Sequence, residues 1–419
     1  MSDWKLLDRE QRGMVLAAMV KIVQRGQEWV VPSQTGDGTK YTVNPDEQSP
    51  NCTCPDFEMH GCTCKHIFAV RIVRQRELFD DGSETVTETV EVTETIKRTT
   101  YPQNWPAYNA AQTSEKHAFQ ALLHDLCSMI QEPPQHKGRP RLPLSDSIFS
   151  AVFKVYSTVS GRRFTCDLAD AKERGHINRM PHYNSIFAVM EDEAVTPILK
   201  RMIEISALPM KAVETSFACD SSGFSGSRFD RWYDHKFGQH RIKRTWVKAH
   251  IMCGVKTNVI TAVEIHGKDA GDCVQLPPML AATAANFAVQ EVTADLAYST
   301  KANLSTIDAM GAVPLIPFKS HVTGTTGGVW SKMFHYFNLH REAFMARYHQ
   351  RSNVETTFSM VKAKFGDSVR SKTDTAMRNE CLCKFVCHNI CCVIQEMHEL
   401  GISPTFRAES AVAQKVTAI

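Results

Sequence analysis

The chain has 419 residues, is 43% hydrophobic and 22% charged, and carries a formal net charge of +3. That length leaves room for two or three domains, and the charge is too small by itself to require nucleic acid. The absence of any run of 18 apolar residues argues against a membrane span. The opening Met1-Ser-Asp-Trp-Lys-Leu-Leu-Asp lacks the regions of an export signal. The fourteen cysteines therefore read as thiols and metal ligands rather than disulfides. The charge is unevenly spread. Residues 136–182 hold nine Lys/Arg against four Asp/Glu, residues 228–248 hold seven against two, and residues 80–95 hold six acids and no base.

In chain order, residues 1–26 predict an amphipathic helix, apolar at Leu6, Leu7, Met14, Val15, Met19, Val20 and Val23. Strand-like runs Glu28–Val31 and Lys40–Val43 follow, joined across Gly36-Asp-Gly38, a hairpin signal. Next comes Cys52-Thr-Cys54-Pro-Asp-Phe-Glu-Met-His60-Gly-Cys62-Thr-Cys64-Lys-His66. Cys52, Cys54, Cys64 and His66 form Cys-x-Cys-x9-Cys-x-His, which offers three thiolates and an imidazole to a tetrahedral zinc ion. Cys62 is a spare donor and an alternative third ligand. Four protein ligands leave no open position for a substrate, so one structural Zn²⁺ is expected to hold together a module too small for a sufficient core. This pattern resembles the SWIM zinc finger over roughly residues 25–80.

The sequence divides into a zinc module at residues 1–80, a linker at 81–112, a helical region at 113–205, an α/β domain at 206–400 and a tail at 401–419. The linker contains a Thr/Val/Glu alternation and then Tyr101-Pro-Gln-Asn-Trp-Pro106. Glu115–Gln131 predicts a helix with Phe119, Leu122, Leu123, Leu126 and Met129 on its apolar positions. The basic turn His136–Arg141 leads to a helix from Asp146 to Ser157 capped by Ser145. Gly161-Arg-Arg163 breaks it, a short helix lies around Asp167–Arg174, and another starts near Pro181. Short helices joined by Gly/Arg turns suit insertion into DNA, with Arg139, Arg141, Arg162 and Arg163 as candidate phosphate contacts.

Strands dominate afterwards. Val213–Cys219 ends at Asp220-Ser-Ser-Gly223, and Thr245–Val255 pairs with Val259–Ile265. A helix at Cys273–Phe287 leads to strand Val289–Ala294, which ends at Asp295. A helix at Ser299–Met310 and a strand at Val313–Ile316 follow. No Gly or Pro interrupts Ser331–Phe365, which predicts one long helix. On it Tyr348, Arg351, Glu355 and Lys362 share an arc of roughly 60°. An apolar stripe of Val354, Phe358, Val361 and Phe365 runs beside them. The fold class is thus a mixed α/β sheet flanked by helices, behind a helical DNA-binding region and a small β-hairpin zinc finger. Near the end, Cys381, Cys383, Cys387, Cys391 and Cys392 lie on a helix that is apolar nearly all round, so they read as core residues rather than a second metal site.

Three carboxylates brought within about 4 Å repel by roughly 1–4 kcal/mol per pair, so a cluster of Asp220, Asp295 and Glu355 calls for Mg²⁺ or Mn²⁺. Two such ions bind both the attacking and leaving oxygens of a phosphodiester. Tyr348-x2-Arg351-x3-Glu355-x6-Lys362, with Cys-Asp220-Ser-Ser-Gly and Thr-Ala-Asp295-Leu-Ala-Tyr, resembles the DDE domain of a large group of bacterial insertion-sequence transposases. The resemblance covers roughly residues 136–400. It implies an RNase H-like fold with Asp220, Asp295 and Glu355 as the catalytic metal ligands, and Tyr348, Arg351 and Lys362 beside them on DNA. It also implies cleavage at the terminal repeats of a mobile element and joining of the released 3′-hydroxyl to target double-stranded DNA. A homodimer assembled on DNA, in the cytoplasm or in the nucleus of a eukaryotic host, is the expected working form. A SWIM finger ahead of such a domain is not the usual arrangement. Two rival readings are a nuclease of the same fold without strand transfer and a DNA-binding regulator that has lost catalysis.

Overall fold

The computed structural model describes residues 9–33, 39–46, 48–78, 104–134, 137–138, 140–226, 246–267 and 269–407. The chain divides into two compact units, Met1–Thr99 and Thr100–Ile419. Arg139, the Gly36–Gly38 turn and most of the basic stretch 228–248 lie outside the described residues.

The first unit is a four-stranded antiparallel sheet in the order β1 (Val23–Arg25), β2 (Glu28–Pro32), β3 (Lys40–Asn44), β4 (Asn51–Cys52). The expected helix over residues 1–26 is shorter. It spans Arg9–Met19, and Val23 sits in β1. Gly26 has φ +66° in the two-residue turn between Arg25 and Glu28, a conformation that suits a tight hairpin. The helix also buries a different face. Met14 and Met19 are exposed, whereas Gly13 and Leu16 are buried. A Cβ on Gly13 would lie 2.5 Å from the Cβ of Phe68, so this glycine permits close crossing with helix Lys65–Leu78. Leu16, Trp29, Val31, Val43, Ile67 and Val70 make the small core.

In the second unit, a helix begins at Trp105, inside the stretch read as linker, and runs to Cys127. Asn104 caps it through Ala107 N–H at 3.3 Å. The next helix is Leu144–Ser157, and Ser145 is not its cap. The Ser145 N–H and hydroxyl donate to Glu132, at 2.9 and 2.6 Å. Gly161-Arg-Arg163 does not break a helix either. Thr158 ends the preceding one in the left-handed region, and Gly161 opens helix Gly161–Glu173, capped by Ser160. Helices Leu144–Ser157, Gly161–Glu173 and Tyr183–Met190 pack on one another.

The large sheet has the order β7-β6-β5-β8-β9, with β5 Ser216–Gly226, β6 Trp246–Gly254, β7 Ile260–Gly267, β8 Glu291–Ala294 and β9 Val313–Leu315. β5, β6 and β7 are antiparallel neighbours, whereas β8 and β9 run parallel to β5. This mixed, helix-flanked sheet is RNase H-like. A short β10, Ser368–Val369, pairs in parallel with Ser225 and Gly226 at the far end of β5. Side chains alternate along β5 and so divide the two layers. Phe217, Cys219 and Ser221 meet Phe287, Tyr298 and Asp272 on one face. Asp220, Ser222 and Phe224 meet Arg351, Lys362 and Phe385 on the other.

The expected continuous helix over Ser331–Phe365 is broken into three, Gly328–Leu339, Arg341–Tyr348 and Ser352–Phe365, with a 3₁₀ turn at His349–Arg351. His340, at φ −121° and ψ 48°, makes the first break. Packing decides it, because the bend lets both Phe337 and Phe344 bury against each other, ring centroids 5.0 Å apart. The same bend lets Arg347 donate to Glu291 on β8 at 3.1 Å. Val354, Phe358, Val361 and Phe365 are buried as their spacing requires. Helix Asp374–Glu399 runs through the core with Cys381, Cys383, Cys387 and Cys392 buried among its apolar residues. Asn389 ties this helix to β7. It accepts from Ile260 N–H at 2.8 Å and donates to the carbonyls of Ile260 at 2.7 Å and Ile203 at 3.1 Å.

Candidate active site and metal centre

In the first unit the donors are placed by three local structures. Cys52 lies on β4. Cys54 caps helix Pro55–His60 and its Sγ accepts from Phe57 N–H at 3.4 Å. Cys64 and His66 sit at the start of helix Lys65–Leu78. The ligand atoms of Cys52, Cys54, Cys64 and His66 all lie within 4.8 Å of one another. His66 Nδ1 is 3.9 Å from Cys52 Sγ and 3.8 Å from Cys64 Sγ. Ligands about 2.0–2.3 Å from a tetrahedral zinc ion stand roughly 3.5–3.8 Å apart, so the donor set fits zinc in number, type and spacing. Cys62 is not among the converging residues and is half-buried. The thiols compete for charge. Hydrogen bonding to Cys52 brings Cys64 down to about 4, while that interaction and burial push Cys52 up. A divalent cation relieves this competition by favouring all three thiolates.

In the second unit, register does most of the work. Cys219 on β5 is the Cα partner of Ala294, the last residue of the parallel strand β8, so Asp220, still in β5, and Asp295, just past β8, each directly follow the same register pair. Asp295 follows β8 directly and accepts from Leu296 N–H at 2.5 Å. Asp220 does not end its strand, because β5 continues six residues further, to Gly226. Glu355 lies on the first turn of helix Ser352–Phe365. Arg351 stands between two of the carboxylates, 3.3 Å from Asp220 Oδ2 and 2.5 Å from Glu355 Oε1. Burial raises the Asp220 pKa, Arg351 opposes that rise, and Asp295 and Glu355 reinforce it. Asp295 and Glu355 thus both act on Asp220, but among the described residues the three acids do not form a converged donor group as the Cys52–His66 set does. The Arg351 guanidinium bridges two of the three carboxylates.

Lys362 donates to Ser222 Oγ at 2.6 Å, and its ammonium lies 5.3 Å from the Phe224 ring centroid. Tyr348 packs with Arg351 over its ring at 5.9 Å, and burial pushes its phenol pKa up. The structure therefore brings together Asp220, Asp295, Tyr348, Arg351, Glu355 and Lys362, despite the broken helix. Arg162 and Arg163 are exposed on the first turn of helix Gly161–Glu173, and Arg141 is exposed in the loop before Leu144. Ser222 and Phe224 escaped sequence reasoning. Their signal is the period of two that starts at Asp220, which becomes a strand face only because β5 continues to Gly226.

Asp220 and Asp295 thus neighbour one register pair of an RNase H-like sheet, and Arg351 links Asp220 to Glu355 on the helix beside it. Residues 212–390 match the family described as the transposase DDE domain, and residues 41–72 match the SWIM zinc finger. The chain thus carries a transposase DDE domain together with a SWIM zinc finger, which supports a transposase function with DNA as partner. No curated protein and no solved structure matches the chain. Among the described residues no helix is long and apolar enough to cross a membrane.

Proposed function

We propose that this chain is a transposase that cuts the DNA ends of its own element and joins the released 3′-hydroxyls to target DNA. The observation that supports the reading is that Asp220 and Asp295 each directly follow the register pair Cys219–Ala294, with Arg351 linking Asp220 to Glu355. The three carboxylates offer hard oxygen donors of the kind that hold two Mg²⁺ or Mn²⁺ ions. Such ions, when bound, activate water or a 3′-hydroxyl and stabilise the leaving oxygen of an in-line displacement.

The chain's own residues supply the rest. Asp220 is fixed in mid-strand, with Oδ1 accepting from Ser221 N–H at 2.7 Å, so its position is set by the sheet. Arg351 contacts Asp220 and Glu355 and is assigned to turn to a flanking phosphate, where its planar fork gives two donors. Lys362, held over Phe224, contributes a second cation along the strand path. No serine or tyrosine nucleophile is required. Arg141, Arg162 and Arg163 are assigned to DNA-end recognition, and two copies of the chain to one pair of ends.

The test offers a labelled element end and a plasmid target with Mg²⁺. Wild-type protein is expected to give joined product, and Asp295→Asn, which keeps shape and removes charge, to bind DNA without cutting. Cutting without any joined product would support the nuclease reading instead. Wild-type cutting and joining by Asp295→Asn would overturn the triad.

A further inference from the structure

Beyond the catalytic acids, the same face of β5 continues as a row of cations. Arg351 meets Asp220, Lys362 meets Ser222, and the Phe224 ring lies between Lys362 and Lys384, each ammonium 5.3 Å from its centroid. Where the row ends there is a cavity of about 100 Å³, lined by Lys154, Thr158, Phe187, Arg370, Glu380 and Lys384 among others. A single buried water takes about 10–15 Å³, so this space suits a polyatomic group.

Its charges are not balanced from within. Lys154 is 7% exposed, and among the described residues its ammonium has no hydrogen bond or ion pair, only the Phe164 ring 6.0 Å away. Lys384 is 1% exposed and spends its ammonium on the carbonyls of Gly366 and Ser368, both at 2.8 Å. Glu380 accepts from the backbone N–H groups of Arg370 and Ser371 at 2.8–2.9 Å, so its charge shapes the loop. Arg370 is exposed at the rim, and among the described residues its guanidinium donates only to the Val159 carbonyl, at 3.5 Å. Three cations line the recess against one carboxylate, Glu380, with Asp367 acting on Lys384 from nearby, and among the described residues Lys154 has no carboxylate at ion-pair distance, so a nearly buried ammonium there is costly unless an anion completes it.

We infer that this recess is a phosphate-binding pocket that takes a backbone phosphodiester of the DNA strand lying across the candidate active site. The inference rests on the proposed function for its choice of DNA over free phosphate. Position favours the strand. Asp220 to Phe224 is four residues on one strand, about 13 Å at roughly 3.3 Å per residue. That equals about four base-pair steps of axial rise, at roughly 3.4 Å each, in a duplex. The first turn carrying Arg162 and Arg163 abuts the rim, because a Cβ on Gly161 would stand 3.1 Å from the Phe187 ring. Burial and Arg370 together bring Lys154 down to about 8, so it is still a cation at neutral pH.

The experiment uses the full chain without added Mg²⁺, so that binding is read apart from chemistry. Binding of a 30-base-pair duplex of arbitrary sequence is followed by anisotropy across NaCl concentrations, for wild type, Lys154→Met, Lys154→Arg and Arg370→Ala. Each phosphate contact adds about 0.9 to the salt slope, so Lys154→Met is expected to lower the slope by about that amount. The same relation predicts a loss of roughly 8-fold in affinity at 0.1 M salt. Arg370→Ala, at an exposed position, should act in the same direction, and Lys154→Arg should keep the wild-type slope. Wild-type slope and affinity in both Lys154→Met and Arg370→Ala would overturn the pocket. Inorganic phosphate at constant ionic strength is the second arm. Protection of wild type against heat by phosphate, lost in Lys154→Met, with no change in the DNA slope, would overturn the DNA assignment in favour of a free-anion site. A failed joining assay with the slope change intact would sink the transposase reading and leave the pocket standing.

Discussion

Replacing Arg351 by alanine separates its two assigned roles, occupant of the acidic site and binder of a flanking phosphate. In the structure its guanidinium is 3.3 Å from Asp220, and the two side chains are 21% and 19% exposed. At that distance the Coulomb attraction is about 1 kcal/mol with bulk-water screening and about 5 kcal/mol at an effective dielectric of 20. The limited exposure favours the upper part of that range. The hydration that the guanidinium regains on leaving offsets much of it. The second pair, to Glu355, involves a carboxylate that is 55% exposed and adds little. A net effect of about 1.5–3 kcal/mol remains, which is roughly 10- to 150-fold in a binding constant. Arg351→Ala should therefore bind Mn²⁺ about 10- to 150-fold more tightly than wild type, while cutting DNA more slowly. Calorimetric titration of Mn²⁺ into zinc-loaded full-length protein measures the first effect, and the labelled-end assay measures the second. Adding Asp220→Asn to Arg351→Ala should abolish the gain. Unchanged or weaker Mn²⁺ binding in Arg351→Ala would show that the guanidinium does not stand where the cation binds.

Four further outcomes follow from the same structure. Purified protein should hold about one zinc. Cys64→Ser should lose it and unfold the first unit, while Cys62→Ser should keep it, as metal analysis with limited proteolysis will show. The raised Asp220 pKa means that Mn²⁺ affinity should begin to fall at a higher pH than an ordinary carboxylate would dictate, and a flat profile down to pH 4 would contradict it. Glu396 is pushed up to about 7 by burial, with Glu399 and Glu214 adding to the effect. The folded state therefore holds this proton more tightly than the unfolded chain, and stability is lost as pH rises from about 4.5 to 7. Glu396→Gln should raise the melting temperature at pH 8 and leave it unchanged at pH 4. Asn389→Ala strands the Ile260 N–H and takes a donor from the Ile260 carbonyl, while the Ile203 carbonyl keeps the Ser206 hydroxyl, and should cost about 2–4 kcal/mol in urea unfolding.

What the sequence determined by itself was the chemistry of local spacing. Cys52, Cys54, Cys64 and His66 are close in the chain, so short-range geometry alone brings their donors within 4.8 Å. The buried stripe Val354, Phe358, Val361 and Phe365 was likewise legible, because one helix turn relates its members. Asp295 was legible as a strand end because the apolar run stops at Ala294. Tertiary structure decided everything that depended on partners distant in the chain. β5 runs on to Gly226 because β6 pairs with it as far as Ser225, and β10 meets its last two residues. No local propensity in Asp220-Ser-Ser-Gly records that pairing. The helix before Glu355 breaks at His340 because burying Phe337 and Phe344 together outweighs continuing the backbone ladder. Glu355 reaches Asp220 only through Arg351, a contact spanning 131 residues of chain. The cation row ending at Lys154 draws on four elements separated by as many as 230 residues, from Lys154 to Lys384. Periodicity reads one element at a time, and such a row exists only once the sheet has set them side by side.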